Sequence, residues 1–331
     1  MSTRTPTRTA PETPLHDCRR AYAATLTDIA RADERLVIVT NDSIGSSNLG
    51  GFHEELPSRL INVGIAEQNQ VGVAAGLENG GKIPVVSCAG SFLSARATEQ
   101  IKIDAAYSHR HMLLCAQSPG LAYGPLGSTH HSAEDVSIMR SIPEMTVIVP
   151  ADPAETAGAV RWAYFELDGP AYIRISRMKV PALHGEDYVF TPRATVLRGG
   201  GEGGEGADLT IIANGVTVHR AVDAADRLAA EGVRARLLSV PVVKPLDEGA
   251  VLAAARETGR IITVEEGTVK GGLGGAVAEL VTERCPVPVR RIGVPDEFAP
   301  TGSEAWLMDH WGISADGIIA AARELVAGPA A

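Results

Sequence analysis

Glu67 is a residue of this sequence whose type and position could support chemistry. It belongs to INVGIAEQNQVGVAAGL, residues 61–77, which predicts a strand end, a glycine turn and a helix that begins near Ile65. Glu67 then lies in the first turn of that helix. A carboxylate there stabilises the helix through its dipole by about 0.3–1 kcal/mol, and this effect accounts for most such residues. A chemical role for Glu67 is favoured only if other functional groups converge on it.

A second segment supplies candidate neighbours for Glu67. In AGSFLSARATEQIKIDAAY, residues 89–107, Phe92 follows a predicted strand. Arg96 and Gln100 are four residues apart and are therefore expected on one face of the helix that follows. Phe92 is also compatible with a place in the core. The segment offers an aromatic face and two polar side chains.

A third segment adds histidines. GLAYGPLGSTHHSAEDVSIMRSIPEMTVIVPADPAET, residues 120–156, contains a loop rich in glycine and proline that presents Thr129, His130 and His131 before a helix starting near Ala133. Polar side chains at such a loop–helix junction, beyond the edge of a sheet, are where α/β proteins place ligands. A lone histidine there means little, so this loop gains its weight from the two segments before it.

The elements that must position these residues follow an α/β pattern. Short β-branched runs alternate with alanine-rich helical stretches, which predicts a mostly parallel sheet with helices on both faces. The runs lie at residues 36–40, 84–88, 112–116, 146–150 and 171–175. The same pattern restarts with LTIIA, ARLLSV and IITVEE, and a helix opened by glycine follows from Gly271. The fold class is therefore α/β with two domains.

A glycine-rich segment separates the two patterns. Residues 197–207 carry glycines among charges and are interpreted as a flexible linker between domains at 15–196 and 208–331. The alternative is a long surface loop within one domain, but loops of more than about 12–15 residues are uncommon. Residues 1–14 are rich in threonine and proline and predict a flexible tail.

Composition excludes several classes of function. The net charge of -10 without basic clusters argues against binding nucleic acid, although a local basic pocket for an anionic substrate stays possible. The four cysteines lie far apart and suggest neither a zinc site nor disulfides. No apolar run approaches the roughly 20 residues of a membrane span, and no signal core is seen, which predicts a cytoplasmic protein without membrane contact. The glycines of residues 267–281 fit no nucleotide-binding fingerprint.

In this order, the three segments resemble the pyrimidine-binding domain of the transketolase family, and especially the C-terminal subunits of split transketolases. The resemblance covers nearly the whole chain after the tail. Its motifs are CRRAY, NVGIAEQN, SFLSARATEQI, GSTHHSAED, MRSIPEMTVIVPADP, YIRISR, TVEEGTVKGGLGGAVAEL and RIGVPDEFAPTGS. So many ordered matches are not expected by chance.

The resemblance implies thiamine diphosphate as the cofactor and gives the candidates roles. Glu67 corresponds to the glutamate that hydrogen-bonds N1′ of the aminopyrimidine, and it needs a dry environment in which it can hold or share a proton. Phe92 corresponds to the aromatic residue that stacks on the pyrimidine. His130 corresponds to the histidine that faces substrate hydroxyls and assists proton transfer. Further residues expected at the cofactor are Ile65, Arg96 and Gln100.

The resemblance also predicts where a sugar phosphate binds. Arginine matches the geometry of phosphate, and in transketolases arginines, a serine and a histidine surround the mouth of the site. The substrate-binding residues expected here are Arg19, Ser47, His130, His131 and Arg177, of which His131 is the weaker candidate.

Two positions depart from the family. Ser118 stands where transketolases have a phosphate-binding histidine, and Leu126 stands where many have an aspartate that recognises a sugar hydroxyl. Both departures leave open whether an ordinary pentose phosphate is the substrate. They affect the predicted reaction class less.

Half of a thiamine diphosphate site is missing from the sequence. The family holds the diphosphate through a divalent metal at a GDG motif, and this chain has no GDG. No acidic loop offers the oxygen ligands that Mg²⁺ prefers, so no metal ligand is assigned to this chain. The resemblance implies an N-terminal partner subunit that carries the GDG motif and Mg²⁺, in an α2β2 heterotetramer.

The leading hypothesis is transfer of a two-carbon ketol unit from a ketose, expected as its phosphate, to an aldehyde-type acceptor. The alternatives are the β subunit of a 2-oxoacid dehydrogenase, a decarboxylating synthase and a non-catalytic subunit of this fold. The synthase is disfavoured because such enzymes resemble single chains with both halves. The C-terminal domain is interpreted as structural, with Glu265 and Glu266 at an interface or at a solvated strand end.

Overall fold

The computed structural model describes residues 14–185, 187–199 and 206–327. The predicted tail, except for its last residue, and residues 200–205 of the predicted linker lie outside the described residues. None of the helices in the described ranges is long and apolar enough to cross a membrane.

The strands are the first level of organisation, and they match the predicted runs closely at residues 36–40, 171–175 and 209–213. In chain order they are β1 Leu15–Asp17, β2 Leu36–Thr40, β3 Leu60–Asn62, β4 Ile83–Ala89, β5 Leu113–Gln117, β6 Thr146–Ile148, β7 Ala171–Ile175, β8 Lys179–Pro181, β9 Thr195–Arg198, β10 Leu209–Ala213, β11 Ala235–Ser239, β12 Val242–Lys244, β13 Ile261–Thr268 and β14 Val289–Val294.

The α-helices cover both faces of the sheets. They are α1 Cys18–Ala32, α2 Gly50–Glu55, α3 Glu67–Asn79, α4 Gly90–Arg96, α5 Thr98–Gln100, α6 Asp135–Ser141, α7 Pro153–Phe165, α8 Val218–Ala230, α9 Glu248–Thr258, α10 Leu273–Arg284, α11 Glu304–His310 and α12 Ala315–Ala327. Short 3-10 turns lie at Pro57–Arg59, Gly124–Leu126 and Gly215–Thr217, and a π-helix spans Ile101–Tyr107.

Two sheets carry the fold, and the predicted two-domain α/β class is confirmed. The seven-stranded sheet has the order β12-β6-β7-β5-β4-β2-β3, and the five-stranded sheet has the order β14-β13-β10-β11-β9. Strands within each sheet are parallel except for β12 beside β6 and β9 beside β11. A separate antiparallel pair joins β1 to β8.

The two exceptional strands are exchanged between the halves of the chain. β9 precedes residues 200–205 but joins the second sheet, whereas β12 follows them and joins the first sheet. The predicted division at residues 197–207 includes neither exchange, because strands of three or four residues carry too little periodicity to be detected. One core cluster also combines residues from both halves, including Met139, Val147, Val251 and Leu273.

Several predicted element details change. α3 begins at Glu67 rather than near Ile65, and α6 begins at Asp135 rather than near Ala133. The helix that was to carry Arg96 and Gln100 on one face is interrupted, since α4 ends at Arg96 and Ala97 separates it from α5. That shared face is therefore a wrong prediction.

The solvated strand end predicted as one alternative for two glutamates is also wrong. Glu265 and Glu266 lie within β13 and are only 3% and 4% exposed. Both carboxyl groups are thus part of the interior, and each needs hydrogen-bond donors there.

Candidate active site

A cavity of about 290 Å³ lies at the carboxyl ends of β2 and β4, where α3 and α4 begin. Four of the residues predicted from the sequence line it, as does Leu126 at its edge. The four are Ile65, Glu67, Phe92 and His130. Segments that are far apart in the sequence therefore meet at one edge of the first sheet, as expected for ligand sites in open α/β sheets.

Glu67 is a buried residue in the wall of this cavity. It is 3% exposed, and its Oε1 accepts hydrogen bonds from Asn41 Nδ2 at 2.9 Å and from Arg96 Nη1 at 3.0 Å. Gly64, with a φ of 74°, makes the turn before α3. Further along α3, Gln70 Nε2 donates to the backbone carbonyl oxygens of two neighbouring strands and so fixes the helix against the sheet.

The donors around Glu67 show how it is supported. Asn41 is 6% exposed and directly follows β2, and its Oδ1 accepts a hydrogen bond from Ser43 Oγ at 2.7 Å. The Arg96 side chain is half exposed. Glu67 thus has one fixed neutral donor and one cationic donor that can leave.

Aromatic rings form the wall beside Glu67. Phe92 and His130 lie edge to face with ring centroids 5.3 Å apart, and Tyr123 lies 6.0 Å from His130 in a similar arrangement. The Arg96 guanidinium carbon lies 4.1 Å from the centroid of Phe92. Arg96 therefore contacts both the carboxylate and the aromatic face of the cavity.

His130 lies on the loop that closes the cavity. Its Nδ1 is 3.0 Å from the hydroxyl of Thr129, an exposed residue of the same loop. The edge-to-face contacts orient its ring toward Phe92 and Tyr123.

Two predicted residues are not brought to the cavity. His131 is 8% exposed, its Nε2 is 3.4 Å from the carbonyl oxygen of Gly124, and burial lowers its pKa. Gln100 Nε2 donates to the neighbouring Glu99 carboxylate at 3.2 Å. Both side chains therefore interact with their own segments.

The predicted phosphate-binding residues are divided. Arg19 and Arg177 line a neighbouring cavity of about 440 Å³, whereas Ser47 is fully buried in the segment before α2. Arg19 Nη1 donates to the carbonyl oxygen of Ser46, which lines the first cavity, at 2.8 Å. The Arg177 guanidinium carbon lies 5.1 Å from the centroid of Tyr123. The two arginines thus connect the cavities.

The two departures from the family differ in their surroundings. Ser118 is fully buried with a φ of 51°, and its backbone N–H donates to the carbonyl oxygen of Ile175 at 2.9 Å. Leu126 is 54% exposed and lines the first cavity. Leu126 can therefore contact a ligand directly.

Asn41 and Tyr123 are site residues that the sequence prediction missed. Asn41 had a detectable signal, since it is a polar residue directly after a buried strand at the carboxyl edge of a sheet. Tyr123 had none, because its place beside His130 and Arg177 depends on how the loop folds. Over the part of the chain that the structure describes, no group of three His, Cys, Asp or Glu residues could hold a metal ion.

Comparison with protein-family models assigns both halves of the chain. Residues 16–182 match the transketolase pyrimidine binding domain, and residues 202–318 match the transketolase C-terminal domain. The chain belongs to the transketolase family. The predicted resemblance is confirmed.

Individual relatives extend this assignment. One of the two subunits of an apulose-4-phosphate transketolase from Phocaeicola vulgatus is 41% identical over 312 residues, covering 93% of this chain and 97% of the relative. The 6-deoxy-6-sulfo-D-fructose transketolase subunit SqwH of Clostridium sp. is 41% identical and covers 94% of each chain. A solved structure described as a split gene transketolase, inactive beta4 tetramer, matches with a TM-score of 0.84 and 37% identity, covering 94% of this chain and 98% of its own.

The transketolase chain is therefore a C-terminal subunit of the split type, a transferase that moves a two-carbon ketol unit and acts with a partner subunit. Membership of this family implies the use of thiamine diphosphate. The comparisons give no support to a 2-oxoacid dehydrogenase subunit. The predicted reaction class is confirmed.

Proposed function

We propose that this subunit forms the aminopyrimidine side of a shared active site and cleaves a ketose that carries an anionic group at its far end. The observation that carries the proposal is the buried Glu67 carboxyl group beside Phe92 in the first cavity. A buried carboxyl group that faces an aromatic wall is suited to a flat heterocycle with a basic nitrogen.

The residues present fit thiamine diphosphate. Glu67 would share a proton with a ring nitrogen, Asn41 would hold the carboxyl group in place, and Phe92 would pack on the ring and exclude water. When bound, the cofactor supplies the carbon nucleophile and takes up the electron pair released when the ketose carbon–carbon bond breaks.

Binding requires Arg96 to move. Its guanidinium group contacts both Glu67 and Phe92, so a ring that uses these two residues has to displace it. Half exposure makes this displacement inexpensive, since the group can return to water. Arg96 then remains at the mouth of the cavity, where a cofactor contact is still proposed.

His130 is proposed to exchange protons with substrate hydroxyl groups. It lines the cavity with Phe92 and is accessible to a ligand. Imidazole can give or take a proton near neutral pH, which suits a reaction that both breaks and forms a carbon–carbon bond next to hydroxyl groups.

The anionic end of the donor is proposed to lie near Arg19 and Arg177. Both arginines connect the first cavity to the second through Ser46 and Tyr123. Relatives named for apulose 4-phosphate and 6-deoxy-6-sulfo-D-fructose carry in their names a sugar with an anionic group, a phosphate or a sulfonate. Guanidinium groups bind either anion. Leu126 at the cavity edge favours a donor that needs no carboxylate at that position.

The diphosphate and Mg²⁺ are proposed to bind to an N-terminal partner subunit with a GDG motif, in an α2β2 heterotetramer. The lack of that motif in this sequence supports this, as do the relatives that are named as one subunit of a transketolase. The inactive beta4 tetramer of the structural neighbour is consistent with a need for that partner. The cytoplasmic location stays a prediction.

The proposal is tested by mixing the chain with the partner subunit, thiamine diphosphate and Mg²⁺, and assaying donor cleavage. The donor panel contains ketose phosphates, a sulfonated ketose, an unmodified ketose and 2-oxoacids. We expect cleavage of anionic ketoses, and Arg177→Ala should raise their KM without affecting an unmodified ketose. Turnover of 2-oxoacids alone, or no cleavage of any ketose, would overturn the proposal.

A further inference from the structure

The loop at residues 120–132 contributes three side chains to the first cavity. It carries Tyr123, Leu126 and His130. Its two ends pair like neighbouring strands, because the N–H of Gly120 donates to the carbonyl oxygen of Ser132 at 3.2 Å and the reverse hydrogen bond measures 2.7 Å. The position of this closed loop therefore decides the position of His130.

The C-terminal half of the chain holds this loop from behind. Ser128 Oγ donates to the carbonyl oxygen of Ala299 at 2.6 Å, and the N–H of Gly302 donates to the carbonyl oxygen of Gly124 at 3.2 Å. These contacts join the loop to the segment that leads into α11. On the C-terminal side both use backbone atoms, which many sequences could provide.

Glu266 differs because it reaches the loop with its side chain. Its Oε1 accepts the N–H of Leu121 at 2.6 Å, directly after the paired end of the loop. A Cβ atom at Gly120, whose φ is 62°, would lie 2.3 Å from the same oxygen. The carboxyl group thus fills the space that the glycine leaves.

We infer that Glu266 is a positioning residue that lets the C-terminal domain set the active-site loop, and through it the place of His130 in the cavity. The inference rests on the proposed function in so far as His130 faces the substrate. It changes the interpretation of the C-terminal domain from a structural unit to a part that shapes the site.

Glu265 shows that this contact is specific to one of two adjacent carboxyl groups. It lies next to Glu266 in β13 and is equally buried, but its oxygens accept the N–H groups of Leu273 and Gly274 at 2.8 Å each. Glu265 therefore fixes the start of α10 rather than the loop. It is the matched control for Glu266.

The charges around Glu266 come from three other elements. They are Arg174 on β7, Asp135 on α6 and Glu304 on α11, and Arg174 Nη1 also donates to the carbonyl oxygen of Glu266 at 2.7 Å. Burial is the largest influence and raises the pKa of Glu266 to about 7, against the lowering effect of Arg174 and of the Leu121 N–H.

The sign of the resulting pH effect follows from this raised pKa. The buried carboxyl group binds its proton more tightly than a solvated one with the ordinary pKa of 4.5. The buried arrangement is therefore weakened as pH rises from about 4.5 to about 7, and it changes little above that. Glutamine at this position keeps an acceptor oxygen but cannot ionise.

Hydrogen exchange of the full-length chain tests the inference without an assay of activity. Glu266→Ala should speed amide exchange in residues 121–131 by about tenfold, the effect of one lost buried hydrogen bond. Glu265→Ala should affect the start of α10 and leave the loop unchanged. Unchanged loop exchange in Glu266→Ala, or the same change in both variants, would overturn the inference.

A pH series adds a measurement that a merely structural role would not alter. After correction for intrinsic exchange, the wild-type loop should lose protection as pH rises from about 4.5 to about 7, whereas Glu266→Gln should keep its protection. Equal pH dependence in the wild type and in Glu266→Gln would contradict the role of the carboxyl group.

Activity of the complex with the partner subunit provides the final comparison. Glu266→Ala should lower kcat/KM for the donor by about tenfold, and Glu266→Gln should restore most of it. An alanine variant as active as the wild type would overturn the inference. If the wild type itself cleaves no ketose, the proposed function fails, while the exchange result still decides the role of Glu266.

Discussion

Glu67 and Glu265 are equally buried carboxyl groups with different partners. Each is 3% exposed, and each lies beside the start of a helix, α3 for Glu67 and α10 for Glu265. Glu265 accepts two backbone N–H groups, whereas Glu67 accepts hydrogen bonds from the side chains of Asn41 and Arg96 and faces a cavity. Backbone donors are fixed by the fold, but side-chain donors can move. Burial alone therefore does not distinguish a structural acid from a functional one.

The largest expected effect concerns the cavity side of this comparison. Glu67→Gln should lower ketol transfer by about 10²–10⁴-fold, because the amide cannot share a proton with the cofactor. Folding should be unaffected, since Asn41 can still donate to the amide oxygen. Steady-state kinetics of the complex and thermal unfolding of the chain measure the two effects. Near wild-type kcat in this variant would place Glu67 in the same class as Glu265.

Glu265→Gln should have the opposite outcome. One of the two N–H groups at the start of α10 would lose its acceptor, and the amide group would face a donor instead. The free energy of unfolding should fall by about 1–3 kcal/mol. Chemical denaturation measures this loss, and kcat at a temperature where the variant is folded should remain close to that of the wild type. A large loss of kcat with unchanged stability would reverse the comparison.

The aromatic wall offers a test that leaves both acids in place. Phe92→Ala should weaken thiamine diphosphate binding by about tenfold, because the ring loses its packing surface. Phe298, which is 86% exposed, is the control, and Phe298→Ala should bind the cofactor as the wild type does. Cofactor titration of the complex gives both values. Equal affinities for the two variants would remove Phe92 from the site.

The smallest expected effect concerns the cavity edge. Leu126→Asp restores the acidic type common in the family and should raise kcat/KM for an ordinary pentose phosphate by about threefold to tenfold, through a hydrogen bond to a hydroxyl group. Stability should change little, because Leu126 is largely exposed. Competition between two donors measures the preference. No shift in preference would show that the donor does not reach this edge.

Most of the fold and the centre of the site could be predicted from residue types. Buried runs such as Leu36–Thr40 are long and β-branched, so their strands are evident. β9 and β12 are too short to be detected, and their exchange between sheets depends on contacts across the chain. The interruption at Ala97 was also missed, since no glycine or proline marks it.

Residue order and type were enough to predict the α/β class, the family and the group of Ile65, Glu67, Phe92 and His130, because these depend on local patterns. Tertiary packing was needed to show which donors reach Glu67, that His131 interacts with its own loop, and that Glu266 contacts Leu121 across 145 positions of the chain. Such contacts arise when distant elements pack against each other, and no local pattern records them.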